Sequence, residues 1–345
     1  MIKIKSLHLK NYCGYKNTLF SFVDSFGEIV PLSVFFGPNG CGKSTCLQAI
    51  RLLCSASDLR NKSLDLLFKS IVRNDDYNPD ISGYTIPEES MEVKGIFIKD
   101  GEEKEIIIKA EYKSEIKTMT LEECKDYVNN NTSIVSYRDI SSKKSQVDKN
   151  DYLFIYFNGG VCKNDLFSAG DSFCYFLDAD HPINMKKFQI KEQDADLFKE
   201  ISECVYGYKC SLSAPVFSGE NEFEQKFYTD FILEKGNGQT KIHFKRFSDG
   251  EKKIATLVRF LCDSSSVNKS DIVLIDNIEM HIYFERHPKL VDKILEKFPN
   301  KQFLVTTHSS SLIEHVKNLN IIKNKEGDTG LFDIDKYKPE QSMTL

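Results

Sequence analysis

The sequence contains no apolar run approaching the roughly 18–20 residues that a membrane-spanning helix needs. Its opening, Met1-Ile2-Lys3-Ile4-Lys5, alternates charge with apolar residues and lacks the continuous apolar stretch of a secretory leader. Paired cysteine spacing is also missing. The ten cysteines are scattered with no C-x-x-C element, so neither a zinc site nor a disulfide framework is expected, and reduced thiols in the cytoplasm are the natural reading. There is no excess of positive charge: 46 Lys+Arg stand against 51 Asp+Glu, a net charge of −5. That balance argues against a domain coating nucleic acid by bulk charge, while leaving room for a local basic groove. Repeats and heptads long enough for a coiled coil are lacking too.

What is present is an ordinary globular composition, 41% hydrophobic and 28% charged over 345 residues, enough for two domains or one large domain with an insertion. Apolar alternation at Ile2, Ile4, Leu7 and Leu9, a break at 11–14 and a further run near 17–22 predict two strands. Leu32-Ser33-Val34-Phe35-Phe36 reads as a short buried strand leading into Gly37, and the spacing turns helical over 44–53. Residues 55–90 are polar and uneven. Strands are predicted at 91–98 and 105–112 around Lys99-Asp100-Gly101-Glu102, a hairpin signal. A mobile insertion is expected over 114–150, with a short helix near 121–128. Next come a strand at 151–157, a helix at 194–206 and a hairpin around Gly236-Asn237-Gly238. Beyond 245 the pattern alternates: helix 250–262, strand 271–275, helix 284–297, strand 302–306, helix 309–317. Such alternation predicts a parallel sheet covered by helices.

Gly37-Pro38-Asn39-Gly40-Cys41-Gly42-Lys43-Ser44-Thr45 fits G-x-x-x-x-G-K-[ST] and sits between a predicted strand and a predicted helix. Glycines let successive backbone N–H groups point inward around phosphate oxygens, and the following helix adds its positive end. Lys43 can reach the β- and γ-phosphates, and the Ser44 hydroxyl can ligate Mg²⁺. Cys41 reads as a small filler residue in this loop.

A second group of residues lies in the last third. Ser248-Asp249-Gly250-Glu251 forms a capping box ahead of a helix with apolar residues at Ile254, Leu257, Val258 and Leu261. Asp271-Ile272-Val273-Leu274-Ile275-Asp276 is an apolar strand ending in a carboxylate, and Val305-Thr306-Thr307-His308-Ser309 ends another with a titratable side chain. In this order the pieces resemble the ATP-binding-cassette ATPases of the SMC/RecF/OLD type. The resemblance assigns Walker A to 37–45, the signature serine and second glycine to Ser248 and Gly250, the Walker B aspartate and Mg²⁺ ligand to Asp276, and the switch histidine to His308. It also likens Lys10-Asn11-Tyr12-Cys13-Gly14-Tyr15 to the family's strand-turn near the nucleotide base.

The resemblance implies an α/β fold: an ABC-ATPase head with a parallel or mixed sheet flanked by helices, N-terminal antiparallel strands and an inserted lid. Residues 1–55 and 240–345 form the ATPase core on this reading, and 56–239 the remaining core strands plus a lid or partner-binding region. It further implies ATP and Mg²⁺ as cofactors and a homodimer, or higher homo-oligomer, in which each Walker A site is completed by the signature of the other copy. One departure stands out. The glutamate that normally follows Walker B is replaced by Asn277, which can orient water but cannot accept a proton. Glu279 lies two residues further, and a persisting strand would carry it to the face opposite Asp276. Slow or conditional hydrolysis is therefore expected, with ATP acting mainly as a clamp and Asn277→Glu raising turnover. His281 and His287 do not form an H-E-x-x-H pair and read as loop and helix-start residues, with His281 toward the subunit interface. Arg246, Lys252 and Lys253 read as a solvated face.

The insertion is too short for the long coiled coil of SMC and repair proteins, and no span marks a transporter. A compact body with a modest lid resembles the OLD-like ATPases of bacterial anti-phage systems such as Septu or PARIS. The short segment after His308 leaves no room for a nuclease domain, so a separate effector protein, a nuclease, is expected. The alternative is a RecF/SMC-like ATPase that clamps DNA in repair; a transport subunit with a separate permease ranks last.

Overall fold

The computed structural model describes residues 1–13, 15–38, 41–55, 73–74, 84–85, 91–110, 132–139, 154–157, 160–163, 173–177, 189–218, 225–235, 238–262, 271–279, 281–313, 316, 318–322 and 329–331. One layer is an antiparallel sheet in the order Tyr15–Ser21, Ile2–Tyr12, Met91–Lys99, Glu102–Ala110, Thr132–Asp139. The apolar phase of its first strand slips from Ile2 and Ile4 to Leu7 and Leu9. A register shift between Ile4 and Ser6 absorbs the extra residue, so all four side chains bury on one face. The turn after Lys99 has Asp100 and Gly101 both left-handed (φ 53° and 87°), which suits a two-residue hairpin loop. Part of the expected mobile insertion is thus a strand, Thr132–Asp139, completing this sheet; the expected helix at 121–128 lies outside the described residues.

The central layer is a six-stranded mixed sheet in the order Thr329–Leu331, Asn318–Ile322, Leu32–Phe36, Gln302–Thr307, Ile272–Ile275, Phe154–Phe157. Every pairing is parallel except that of the first two strands. Both faces are covered, which is why Ile272–Ile275 is apolar throughout rather than alternating. Ile272, Leu274 and Leu304 share one core with the N-terminal sheet and the helix Lys43–Ser55. Val273, Ile275, Phe303 and Val305 share the other with the helices Ala195–Tyr206, Asp249–Cys262 and His287–Lys297.

On that second side a small antiparallel sheet (Ile190–Lys191, Gln225–Lys235, Lys209–Ser218, with Thr240–His243 beside the long strand) packs over the helices. Phe198, Tyr206, Phe231, Phe244 and Phe247 meet there in edge and tilted ring contacts with centroids 5.0–6.0 Å apart. They anchor the chain just ahead of Ser248. The helix expected at 309–317 is described only as Ser310–Ile313. No helix among the described residues is long and apolar enough to cross a membrane. The architecture is α/β: a mixed, mostly parallel sheet flanked by helices, with antiparallel N-terminal strands.

Candidate nucleotide site

The strand Leu32–Phe36 runs into the loop 37–42, and the helix begins at Lys43. Asn39 and Gly40 lie outside the described residues. At Gly37 a Cβ would stand 2.3 Å from Ile322 O and 2.8 Å from the buried Cys41 Sγ, so only glycine fits. Gly42 takes φ +106°, and its Cβ would meet Tyr15 Oη at 2.6 Å. Tyr15, from the N-terminal hairpin, therefore floors the loop, and its Oη accepts a hydrogen bond from Cys46 Sγ at 3.2 Å. Burial pushes both groups' pKa values up and keeps them neutral. Thr45 follows in the first turn of the helix, half-buried.

Lys43 is 5% exposed. Its Nζ donates to Gly37 O and Pro38 O, both at 3.0 Å, and lies 3.4 Å from His308 Nδ1. Burial lowers its pKa against the opposing pull of the Asp276 and Glu279 charges. Asp276, 2% exposed, follows the strand Ile272–Ile275. Its Oδ1 accepts from Ser44 Oγ at 3.0 Å and, in a short contact, from Thr306 Oγ1. Burial raises the Asp276 pKa, and these two donors and Lys43 pull it back.

The strand stops at Ile275, so alternation does not govern the residues beyond it. Asn277 is left-handed at φ 53°, a region that asparagine tolerates better than most residues. Its N–H donates to Thr306 Oγ1 at 2.8 Å, and Ile278 N–H donates to Thr306 O at 3.2 Å. This turn brings Glu279 back beside the loop instead of to the opposite face. There its Oε1 accepts from His308 N–H at 2.6 Å, and its Oε2 is buried with no hydrogen-bond partner among the described residues. Thr306, absent from the sequence-derived candidates, thus touches both segments of the site. Threonine in an apolar strand gives no sign of such a role.

Ser248 and Gly250 stand apart from this group. Ser248 caps its helix as expected: Oγ accepts from Glu251 N–H at 3.3 Å and donates to Glu251 Oε2 at 2.9 Å, while Ser248 N–H donates to the same oxygen at 2.8 Å. Tyr206 Oη donates to the Glu251 carbonyl at 2.5 Å. Among the described residues no hydrogen bond joins Ser248 or Gly250 to the loop 37–45. His281, left-handed at φ 66°, packs against Gly250, and His287 starts the helix His287–Lys297. The Nε2 of His287 donates to Ile282 O at 2.8 Å and its Nδ1 lies 2.7 Å from Ser309 Oγ, tying this loop to the segment after His308.

The donor set fits a nucleotide with Mg²⁺. Ser44 Oγ and the Asp276 carboxylate, whose Oδ1 lies 3.0 Å from that hydroxyl, supply hard oxygen donors, one on a helix N-terminus and one on a strand end. The unpartnered, buried Glu279 Oε2 is an acceptor that calls for a proton donor such as a water.

A phosphate loop at a helix N-terminus, facing an acidic strand end on a mixed sheet, defines a P-loop ATPase of ABC/SMC type. The family model described as "AAA domain, putative AbiEii toxin, Type IV TA system" matches residues 32–314, and the chain belongs to that family. The chain is 32% identical over 112 residues to the "Retron Ec83 probable ATPase" of Escherichia coli, a match spanning 30% of this chain and 20% of that protein. Among solved structures it is similar to an Smc head domain with an extended coiled coil bound to the C-terminal domain of ScpA, derived from Pyrococcus furiosus. That likeness has a TM-score of 0.54 and 14% identity, over 97% of this chain and 98% of the other. An SmcHead bound to the C-winged helix domain of ScpA matches with TM-score 0.50 and 17% identity, over 95% and 96% of the two chains.

Proposed function

We propose that this chain is a nucleotide-gated sensor and scaffold of an anti-phage defence complex. In this reading it works in the cytoplasm, binds ATP with Mg²⁺, pairs with a second copy through the bound nucleotide, and controls a separate effector, a nuclease. The convergence of Lys43, Ser44, Asp276 and Glu279 carries this reading, supported by the family and by the likeness to a retron ATPase.

Loop N–H groups from Gly37 to Thr45, Asn39, Gly40, Cys41 and Gly42 included, would cradle the phosphates, and Lys43 would exchange its two carbonyls for phosphate oxygens. Ser44 and Asp276 would hold Mg²⁺, which when bound neutralises phosphate charge. Glu279 supplies the carboxylate that Asn277 lacks and takes the proton from an attacking water through Oε2, while His308 senses the far phosphate beside Lys43. Ser248 and Gly250, on a helix N-terminus outside the site of their own chain, would complete the partner's site. Closure of the dimer then conditions hydrolysis, and residues 56–239 carry the lid and the effector contact.

The test is the association state. With ATP and Mg²⁺ wild type should dimerise, while Lys43→Ala and Ser248→Arg should stay monomeric; a wild-type monomer at saturating ATP contradicts the reading. The purified chain alone should cleave neither DNA nor RNA, and cleavage would remove the need for an effector.

A DNA-clamping role in repair is the second reading. Lys245 and Arg246 are exposed, make no ion pair among the described residues, and immediately precede the signature. ATP-dependent duplex binding that weakens with salt and is lost in Lys245→Glu/Arg246→Glu would favour it.

A further inference from the structure

We propose that Thr306 is a positioning residue that sets both carboxylates of the nucleotide site; this rests on the ATP·Mg²⁺ reading above. Thr306 is 0% exposed in a strand whose neighbours Phe303, Leu304 and Val305 are buried hydrophobes. A hydroxyl there must be bonded or it destabilises the core. Its bonding is fully determined. Asn277 N–H can only donate, so Thr306 Oγ1 accepts there at 2.8 Å and must send its own proton to Asp276 Oδ1.

The consequences reach both acidic groups. Asp276 Oδ1 receives Thr306 and Ser44, and no hydrogen bond among the described residues reaches Oδ2, which stays available to a cation. The carbonyl of Thr306 accepts from Ile278 N–H at 3.2 Å, and two residues on, His308 N–H donates to Glu279 Oε1 at 2.6 Å. Four hydrogen bonds thus fasten the strand end 306–308 to the turn 276–279. Glu279 reaches the site only because this turn is held with Asn277 left-handed. A movement of the switch segment at His308 shifts the Mg²⁺ ligand and the proton acceptor as one unit, and Thr306 is the shared joint.

Valine matches threonine in shape and removes only the hydroxyl, while serine restores it. The experiment measures Mn²⁺ uptake by the full chain with ADP present, followed by electron paramagnetic resonance, and ADP binding in EDTA. Thr306→Val should weaken Mn²⁺ binding by about tenfold or more, the scale of groups that orient a metal ligand. Metal-free ADP binding should stay at the wild-type level, and Thr306→Ser should return Mn²⁺ binding to near wild type. Equal Mn²⁺ affinity in wild type and Thr306→Val would overturn the proposal alone, as would Thr306→Ser behaving like valine. A wild-type chain that takes up no Mn²⁺ with ADP would overturn the proposal and the nucleotide–metal reading together.

Discussion

Asp276 carries its charge in a place that resists it. It is 2% exposed, and burial raises its pKa despite donors from Ser44 and Thr306. Without metal, a raised carboxyl pKa means the folded chain holds the proton more tightly than the unfolded one. The ionised form therefore costs stability above the raised pKa, and the cost fades as pH falls through it toward the ordinary carboxylate value. Asp276→Asn should raise the melting temperature of the nucleotide-free chain by about 2 °C at neutral pH. That gap should narrow on acidification, and a gap constant with pH would contradict it. Asn277 tells a related story: glutamate in its left-handed backbone should cost about 1 kcal/mol, and Asn277→Glu should not raise turnover above wild type. Denaturant melts and an ATPase assay check both. Lys43, Ser44 and Asp276 were legible in the sequence because motif spacing marks them. Thr306 and the return of Glu279 were not, since both depend on a turn meeting a strand end that is remote in sequence.

At the scale of elements, the helix Asp249–Cys262 unites two roles in one residue. Ser248 caps it, and in the proposed function the same hydroxyl completes a second copy's site. Aspartate also caps well but brings a charge that repels phosphate. Ser248→Asp should keep the melting temperature and abolish ATP-dependent dimerisation, whereas Ser248→Ala should lose about 1 kcal/mol along with the dimer. A dimer that survives aspartate would restrict Ser248 to capping. The strands Leu32–Phe36, Ile272–Ile275 and Gln302–Thr307 were readable as apolar runs, and the hairpin at Asp100-Gly101 from its turn residues. Sheet order was not. Nothing local in Phe154–Phe157 says that it will pair in parallel with Ile272–Ile275, or that Thr132–Asp139 will close the N-terminal sheet.

Among the described residues one mixed sheet lies between an antiparallel sheet and a helical layer, and the nucleotide site forms where the loop before Lys43 meets the ends of the strands Ile272–Ile275 and Gln302–Thr307. Because the strand Ile272–Ile275 lends Ile272 and Leu274 to the core of the helix Lys43–Ser55, and Val273 and Ile275 to the core of the helix Asp249–Cys262, nucleotide contacts made by either layer can be passed to the other through the sheet. In the proposed function Glu279, returned by the turn at Asn277, serves as the base that Asn277 cannot be. Multiple-turnover ATP hydrolysis with Mg²⁺, wild type beside Glu279→Gln, tests it most directly. Glu279→Gln should bind ATP as wild type does and lose turnover by about 100-fold or more, the scale of a lost general base. Turnover by Glu279→Gln at the wild-type rate would contradict the assignment.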